Sequence, residues 1–520
     1  MEEYITEQSL TKLLTINNMN TTSLLRIAAS ICCALFALTI NSARAQKISS
    51  ETPIDELIAT GLPLVNITTV DGVWPTCDYR EDPPLGCTGA GIINATKVPG
   101  RMTITLGDSV YYDSGEYVKD NGGMTLKIRG NTSAYGSIPS YKIKLQKKAN
   151  LLCFSDSLAK DKEWALLNRN SSGNLKTAIG KEVARLCGIE WEPKDHFVNV
   201  IVNGDYRGVY LLTELVKRAE GRCNVTKTGF VAECDPYWWV NTETDSCYHT
   251  KNLAYALAYT FKYPESEELD SARFGYFKRT IDEFEDSLYS NKPFDHLFDM
   301  QSLAAWFLAH DIQGSWDGLG SNIYITKYDS TPDSKLRMGP LWDFDMDYMK
   351  PGEWASVHAI PDFYGMQLFK QPAFVNAYND LWQEVRTAFP EHIDAVLDLL
   401  MTRFKDPVQQ SRDIFHRVTG KGAQTFTENV EEVEQWFADR IPWLDENINA
   451  LVSAAPSVNA ATPPAVAQVR AFATDGTLLF QGTPIQFSQW QQSLRTTHGI
   501  LIVSYLAEGG QVLRTTKIIR

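Results

Sequence analysis

The chain has 520 residues, 44% of them hydrophobic, 11% aromatic and 22% charged. That composition fills the cores of roughly two to four domains and excludes a disordered chain, a coiled coil or a collagen-like fibre. With 49 Lys and Arg against 63 Asp and Glu the net charge is −14, so the overall positive field that draws nucleic acid or anionic lipid is missing, and no nucleic-acid partner is expected.

In chain order, the first feature is an apolar run from Ile27 to Ile40, preceded by Arg26 and followed by Ala43-Arg44-Ala45. The run is shorter than the ~20 residues that span a bilayer, and the small-x-small triplet is a cleavage signal. Residues 1–45 therefore read as a secretory signal peptide with its natural start at Met19, leaving no stable transmembrane segment after cleavage. The expected location is secreted: periplasmic, cell surface or extracellular. Two of the nine cysteines lie in that leader. In an oxidising compartment the others favour pairing: Cys77 with Cys87 across a short Pro-bearing loop, and pairs among Cys223, Cys234 and Cys247. The odd count leaves a thiol over, and Cys187, inside an apolar helix pattern, is the expected buried one.

Residues 46–123 form an N-terminal β region, with short β-branched runs at Leu64 to Val70 and Met102 to Leu106 separated by Asp-Gly, Pro-Pro and Gly-Asp turns. Strands are expected at Met124 to Arg129 and Tyr141 to Leu145, then a helix at Asn174 to Cys187. A hairpin follows, Phe197 to Val202 and Tyr206 to Leu212, with Asn203-Gly204 as its turn. Phe274 to His310 and Phe374 to Leu451 read as helical, the latter ending in a buried stripe of Val430, Val433, Phe437, Ile441 and Leu444. Residues 451–468 lack charge and carry three Pro, a linker. Residues 469–520 resume a β pattern with turns at Asp475-Gly476 and Gly509-Gly510.

Chemistry concentrates between Ala309 and Tyr348. Asp317 is followed five positions on by Asn322, then by a strand, Ile323 to Tyr328, a turn, a return through Leu336 to Trp342, and Asp343-Phe344-Asp345. Phosphoryl transfer from a nucleotide needs that order: a carboxylate to take the substrate hydroxyl proton, then an amide and a second carboxylate on Mg²⁺. Alone, Asp317 and Asn322 would pass as turn residues; the downstream acid gives them meaning. A calcium loop is excluded, because Tyr348 stands at the obligatory Gly position. No G-x-S-x-G is present, which disfavours a serine hydrolase.

Upstream, Lys142 and Lys144 alternate with Tyr141, Ile143 and Leu145, so either lysine can face a phosphate-binding cleft. On the helix from Asn174, Glu182 falls within the apolar arc, and burying it unpaired is costly, so pairing with Lys142 or Lys144 is expected, the alternative being a rotated helix that turns Glu182 to solvent or onto a neighbouring Arg. Arg129 reads equally as a phosphate anchor or a structural clamp. Glu214 ends the strand that leads, in a kinase, to the interlobe hinge.

Together these strings resemble the spore-coat-protein-H (CotH) family of secreted atypical kinases. They are Leu126-Lys-Ile-Arg129-Gly130-Asn131-Thr-Ser133, Tyr141-Lys-Ile-Lys-Leu145, Trp164-Ala-Leu-Leu167, Val202-Asn-Gly-Asp-Tyr-Arg-Gly-Val-Tyr210 with Glu214, Trp316-Asp317 with Asn322, and Gly339-Pro-Leu-Trp-Asp343-Phe-Asp345. The resemblance implies an α+β chain with an atypical protein-kinase-like two-lobed fold, β-rich then helix-rich, over 124–450, with a preceding β region and a small C-terminal β-sandwich. It further implies ATP-dependent phosphorylation of Ser or Thr on exported or surface proteins. Asp317 is then the catalytic base; Asn322, Asp343 and Asp345 hold Mg²⁺ or Mn²⁺; Lys142, Lys144, Glu182, Arg129 and Glu214 serve the nucleotide. The loop Gly130 to Gly136 departs from G-x-G-x-x-G, and Pro139 stands where the family has a basic residue. Two competing readings are AMP transfer from the same site and a catalytically silent surface or adhesion protein that keeps the fold. The last module, with Gly499 to Val503 and a terminal Lys517-Ile518-Ile519, resembles the sorting domain of type IX secretion cargo, which implies a secretion-machinery partner.

Overall fold

A computed structural model describes residues 47–454 and 468–519, apart from 78, 81–90, 93–95, 131–133, 135, 154, 169–171, 241–245, 255–256, 316–320, 345–347, 356–362, 423, 474–476, 483–485, 487–489, 491–499 and 507–511. Residues 1–45, where a signal peptide is expected, lie outside that set. The chain divides into two units, Met1–Ala450 and Leu451–Arg520.

The first unit opens with helix α1 (Ile54–Ala59) and strand β1 (Leu64–Thr69), then a small ribbon of β2 (Tyr79–Arg80) and β3 (Gly91–Ile92). Eight strands build its main sheet: β1, β4 (Val98–Leu106), β5 (Ser109–Asp113), β6 (Met124–Arg129), β7 (Ser140–Ala149), β8 (Asp161–Leu167), β9 (Asp195–Val202) and β10 (Asp205–Glu214). Their order is β1-β9-β10-β8-β7-β6-β4-β5, and β1 also pairs with β4. Parallel pairing of β1 with β9 and antiparallel pairing with β4 close the sheet into a barrel. Strands β1, β4 and β5, before residue 124, thus share the sheet of the strands after it, while β2 and β3 pair only with each other. Period-2 alternation points Val65, Ile104, Leu126, Ile143, Trp164 and Val200 into a common core. The alternate residues, Lys142, Lys144, Glu163 and Thr213 among them, face outward. In the β9–β10 turn Asn203 and Gly204 both take positive φ, 51° and 72°, the geometry that a two-residue hairpin demands.

Helix α2 (Gly173–Leu186) lies against the outer face of β9 and β10, where Lys181 Nζ reaches Asp195 Oδ2 at 2.7 Å and Thr213 Oγ1 at 3.0 Å. A second, four-stranded sheet follows, in the order β12-β11-β13-β14: β11 (Phe230–Asp235), β12 (Ala258–Tyr263), β13 (Ile323–Lys327) and β14 (Leu336–Met338). Interleaved with and after it come α3 (Ser271–Tyr289), α4 (Met300–Gln313), α5 (Gly365–Leu368), α6 (Pro372–Thr419) and α7 (Phe426–Ala454). The span Phe274 to His310, expected to be mostly helical, is covered by the two helices α3 and α4, α4 being capped by the Asp299 carboxylate on the Ser302 N–H at 2.7 Å. Helix α7 continues to Ala454, past the expected linker start. Among the described residues no helix is long and apolar enough to cross a membrane.

The second unit holds β15 (Gln468–Phe472), β16 (Leu478–Gly482), β17 (Ile500–Leu506) and β18 (Val512–Ile519) in the order β16-β15-β17-β18. The described residues form this single antiparallel sheet with a small core of Val469, Ala471 and Val503. Among the described residues these four strands pair edge to edge in one layer, and the second layer of the expected sandwich is not seen among them. Of the expected cysteine pairs, those among Cys223, Cys234 and Cys247 do not form. Among the described residues no disulfide forms, and Cys223, Cys234 and Cys247 keep thiols. Cys223 and Cys234 sit buried in different packing environments, and Cys87 lies outside the described residues. Cys187 is buried, as expected, and burial pushes its thiol well up.

Candidate active site

The β13–β14 hairpin carries the two described members of the proposed ligand set. Ile325 stands opposite Met338 and Lys327 opposite Leu336. Continuing that register toward the open end, the Gly339 N–H bonds the Tyr324 carbonyl at 2.9 Å, which sets Asn322 and Trp342-Asp343 at the same end of the hairpin. Both Asn322 and Asp343 take left-handed φ, 56° and 68°, a conformation Asn and Asp tolerate better than other side chains. Asp317 and Asp345 lie outside the described residues.

Asp343 lines a narrow pocket with Leu167, Thr177, Lys181, Trp342 and Phe344. The pocket is thus walled by a barrel strand, by α2 and by the segment after β14. Asn322 donates its side-chain N–H to Ser321 Oγ at 3.0 Å and its backbone N–H to Asp235 Oδ2 at 3.0 Å. Asp235 also accepts from the Tyr237 N–H at 2.6 Å. Burial, and secondarily the neighbouring Glu233, push the Asp235 carboxyl up to about 7. Glu233 accepts from the Tyr324 hydroxyl and pairs with Lys262 at 2.6 Å.

Across from these groups stands the barrel. The Arg129 guanidinium lies 5.2 Å from the centre of the Trp342 ring, a cation–π contact beside Asp343. Lys142 and Lys144 both reach Glu163 Oε1, at 3.3 and 3.6 Å, while Lys217 reaches its Oε2 at 3.7 Å. Burial alone would raise Glu163, but the ammonium groups of Lys142, Lys217 and Lys144 outweigh it and bring the carboxyl down to about 2. Lys142 itself is lowered, chiefly by desolvation; Glu163 opposes this, while Lys144 and Lys262 add to it. That coupling places the Lys262 charge, from β12, near the Lys142 charge, from β7.

Two expectations change. Glu182 does not pair with Lys142 or Lys144; it is half-buried against Arg185, one turn along the same helix. Helix α2 turns Lys181 inward instead, onto Asp195 and Thr213, and this leaves Glu182 on its flank. The carboxylate that meets both lysines is Glu163 on the adjacent strand, two residues after Asp161 on the same outer face. Glu214 is fully buried at the end of β10, accepting the Lys194 N–H at 3.0 Å with Arg222 Nε 3.6 Å away. Burial raises its carboxyl, and these partners offset part of the rise. It braces the strand end and does not line open space. Asp235 and Glu233 had a signal of their own: two acids, i and i+2, on an otherwise apolar string, Phe230-Val-Ala-Glu-Cys-Asp235.

The donor chemistry fits a hard divalent cation. Asp343 offers a carboxylate and Asn322 an amide oxygen, both oxygen ligands of the kind Mg²⁺ and Mn²⁺ take. Among the described residues no group of three or more His, Cys, Asp or Glu forms a metal cage.

A scan against protein-family models matches CotH, described as CotH kinase protein, over residues 126–444. The match spans more than half of the chain, which therefore belongs to the CotH kinase family. No curated protein matches the chain.

Proposed function

We propose that this CotH-family chain is an exported phosphotransferase that moves the γ-phosphate of ATP to a Ser or Thr hydroxyl of exported or surface proteins. What supports the reading is the β13–β14 register, which brings the chain out at Asn322 and at Asp343 on the same end of the hairpin, with Asp343 facing Leu167, Thr177 and Lys181 across a narrow gap. In this reading Asp317 accepts the proton as the substrate oxygen bonds to the γ-phosphorus and the bond to the β-phosphate oxygen breaks, releasing ADP. Asn322 and Asp343 hold Mg²⁺ or Mn²⁺, with Asp345 in reserve. The cation supplies neutralisation of phosphate-oxygen charge when bound. Lys142, oriented by Glu163, reaches the phosphates, with Lys144 at the rim, and Arg129 keeps Trp342 in place beside Asp343. Glu182 and Glu214 drop out of nucleotide contact in this scheme.

Export is part of the proposal: the leader at 1–45 directs secretion, and the sheet of the last module serves as a type IX sorting element. The test is transfer of label from [γ-³²P]ATP to protein with Mg²⁺ or Mn²⁺. Asp317→Ala and Asp343→Ala are each expected to lower transfer by about 100-fold or more, the scale seen when a group acts mainly in the transition state. Unchanged transfer in both variants would remove the assignment. Label arriving from the α-phosphate would convert the activity to AMP transfer. No transfer and no thermal shift with Mg-ATP would leave a silent fold.

A further inference from the structure

Asp235 ends a strand whose six residues are all buried, and it is itself 6% exposed. A carboxylate in such a place must have its oxygens satisfied. Its two bonds both go to main-chain N–H groups, Tyr237 two residues on and Asn322 87 residues away. The second bond falls on a backbone with φ 56°, so it holds a residue that has left the extended path of the strand it precedes. One residue back, Ser321 Oγ takes the Asn322 side-chain N–H at 3.0 Å. Backbone position and amide rotation are thus held by two separate groups, which together define where the Asn322 amide oxygen points. Nearby, Glu233 is occupied by Tyr324 and Lys262, so Asp235 is the acid of this pair engaged with the loop.

Resting on the functional reading above, we infer that Asp235 is a positioning residue: it holds Asn322 so that the amide oxygen meets the divalent cation, without touching the cation itself. Polar groups behind a metal ligand typically contribute ~10–100-fold to metal affinity, and groups acting through one another give non-additive losses.

The experiment is Mn²⁺ binding followed by electron paramagnetic resonance, with a non-hydrolysable ATP analogue present, on the full chain. The proteins compared are the wild type, Asp235→Ala, Asp235→Asn, Asn322→Ala and the Asp235→Ala/Asn322→Ala double variant. Asp235→Ala is expected to weaken nucleotide-dependent Mn²⁺ binding by about 10-fold. The double variant is expected to bind no more weakly than Asn322→Ala alone. Asp235→Asn keeps one acceptor oxygen and should recover part of the loss, and it carries the test if the alanine variant does not fold. Wild-type Mn²⁺ affinity in folded Asp235→Ala, a lowered thermal midpoint with no change in affinity, or losses that simply multiply would each overturn the inference. A wild-type protein that binds no Mn²⁺ with nucleotide would instead overturn the functional reading, and this inference with it.

Discussion

Glu163 shows how much of the site depends on one side chain. Three lysines, 142, 144 and 217, converge on its carboxylate, and replacing it would leave Lys142 desolvated without its closest counter-charge. Glu163→Gln is therefore expected to raise the KM for ATP by about 10-fold, with the loss growing at alkaline pH as Lys142 sheds its proton more easily. Glu182→Gln should leave KM near wild type, because its partner Arg185 lies on the same helix; steady-state kinetics across pH separate the two. The sign in acid is fixed by the same geometry. The Glu163 carboxyl is lowered from 4.5 to about 2 in the fold, so its contribution to stability is present above about pH 4.5 and is lost as pH falls toward about 2. An acid unfolding titration should show a smaller loss over that window in Glu163→Gln than in wild type. An equal loss would mean that the lysines hold the carboxylate less tightly than their distances imply.

At the scale of elements, the pocket depends on how closely α2 meets the segment after β14. At Gly180 an added Cβ would overlap the Gln313 side-chain oxygen and the Phe344 ring, so helix and segment touch through a position without a side chain. Gly180→Ala is expected to destabilise the fold by about 1–3 kcal/mol, the usual cost of overpacking. It should also lower transfer activity, because Phe344 adjoins Asp343; a thermal melt and the labelled-phosphate assay check both. Unchanged stability would show that α2 has room to shift. Elements of this kind were legible to different degrees. The Asn203-Gly204 turn, the α2 helix and the β13–β14 hairpin were readable because each carries its own local signal. Pairing of Glu163 with Lys142 was not, since it depends on β8 lying beside β7, a register that no local pattern announces. Likewise the inward turn of Lys181 is set by Asp195 on β9, and only tertiary packing reveals it. Glu182 was misread because helical periodicity identifies an arc but not which edge of that arc is buried.

For the molecule as a whole, family membership and the α+β mixture follow from patterns along the chain, whereas barrel closure does not. Closure needs β1 to pair with β4 and also with β9, the latter joining residues more than 130 apart, and such long-range pairing leaves no trace in alternation alone. Composition marks a linker from residue 451, an uncharged Pro-bearing stretch chemically unlike the helix before it, whereas helix α7 runs on to Ala454. Asp343 and Asn322 sit on separate arms of one hairpin, so the site is intelligible only when that hairpin is folded. The central claim is that these two side chains share one divalent cation under a nucleotide. A crystal structure of the full chain with Mn²⁺ and a non-hydrolysable ATP analogue, read in the manganese anomalous difference map, tests it most directly. The account predicts a peak within about 2–2.5 Å of an oxygen of both Asn322 and Asp343, bridged to the phosphates. Manganese and nucleotide bound elsewhere, with these two oxygens facing apart, would contradict it.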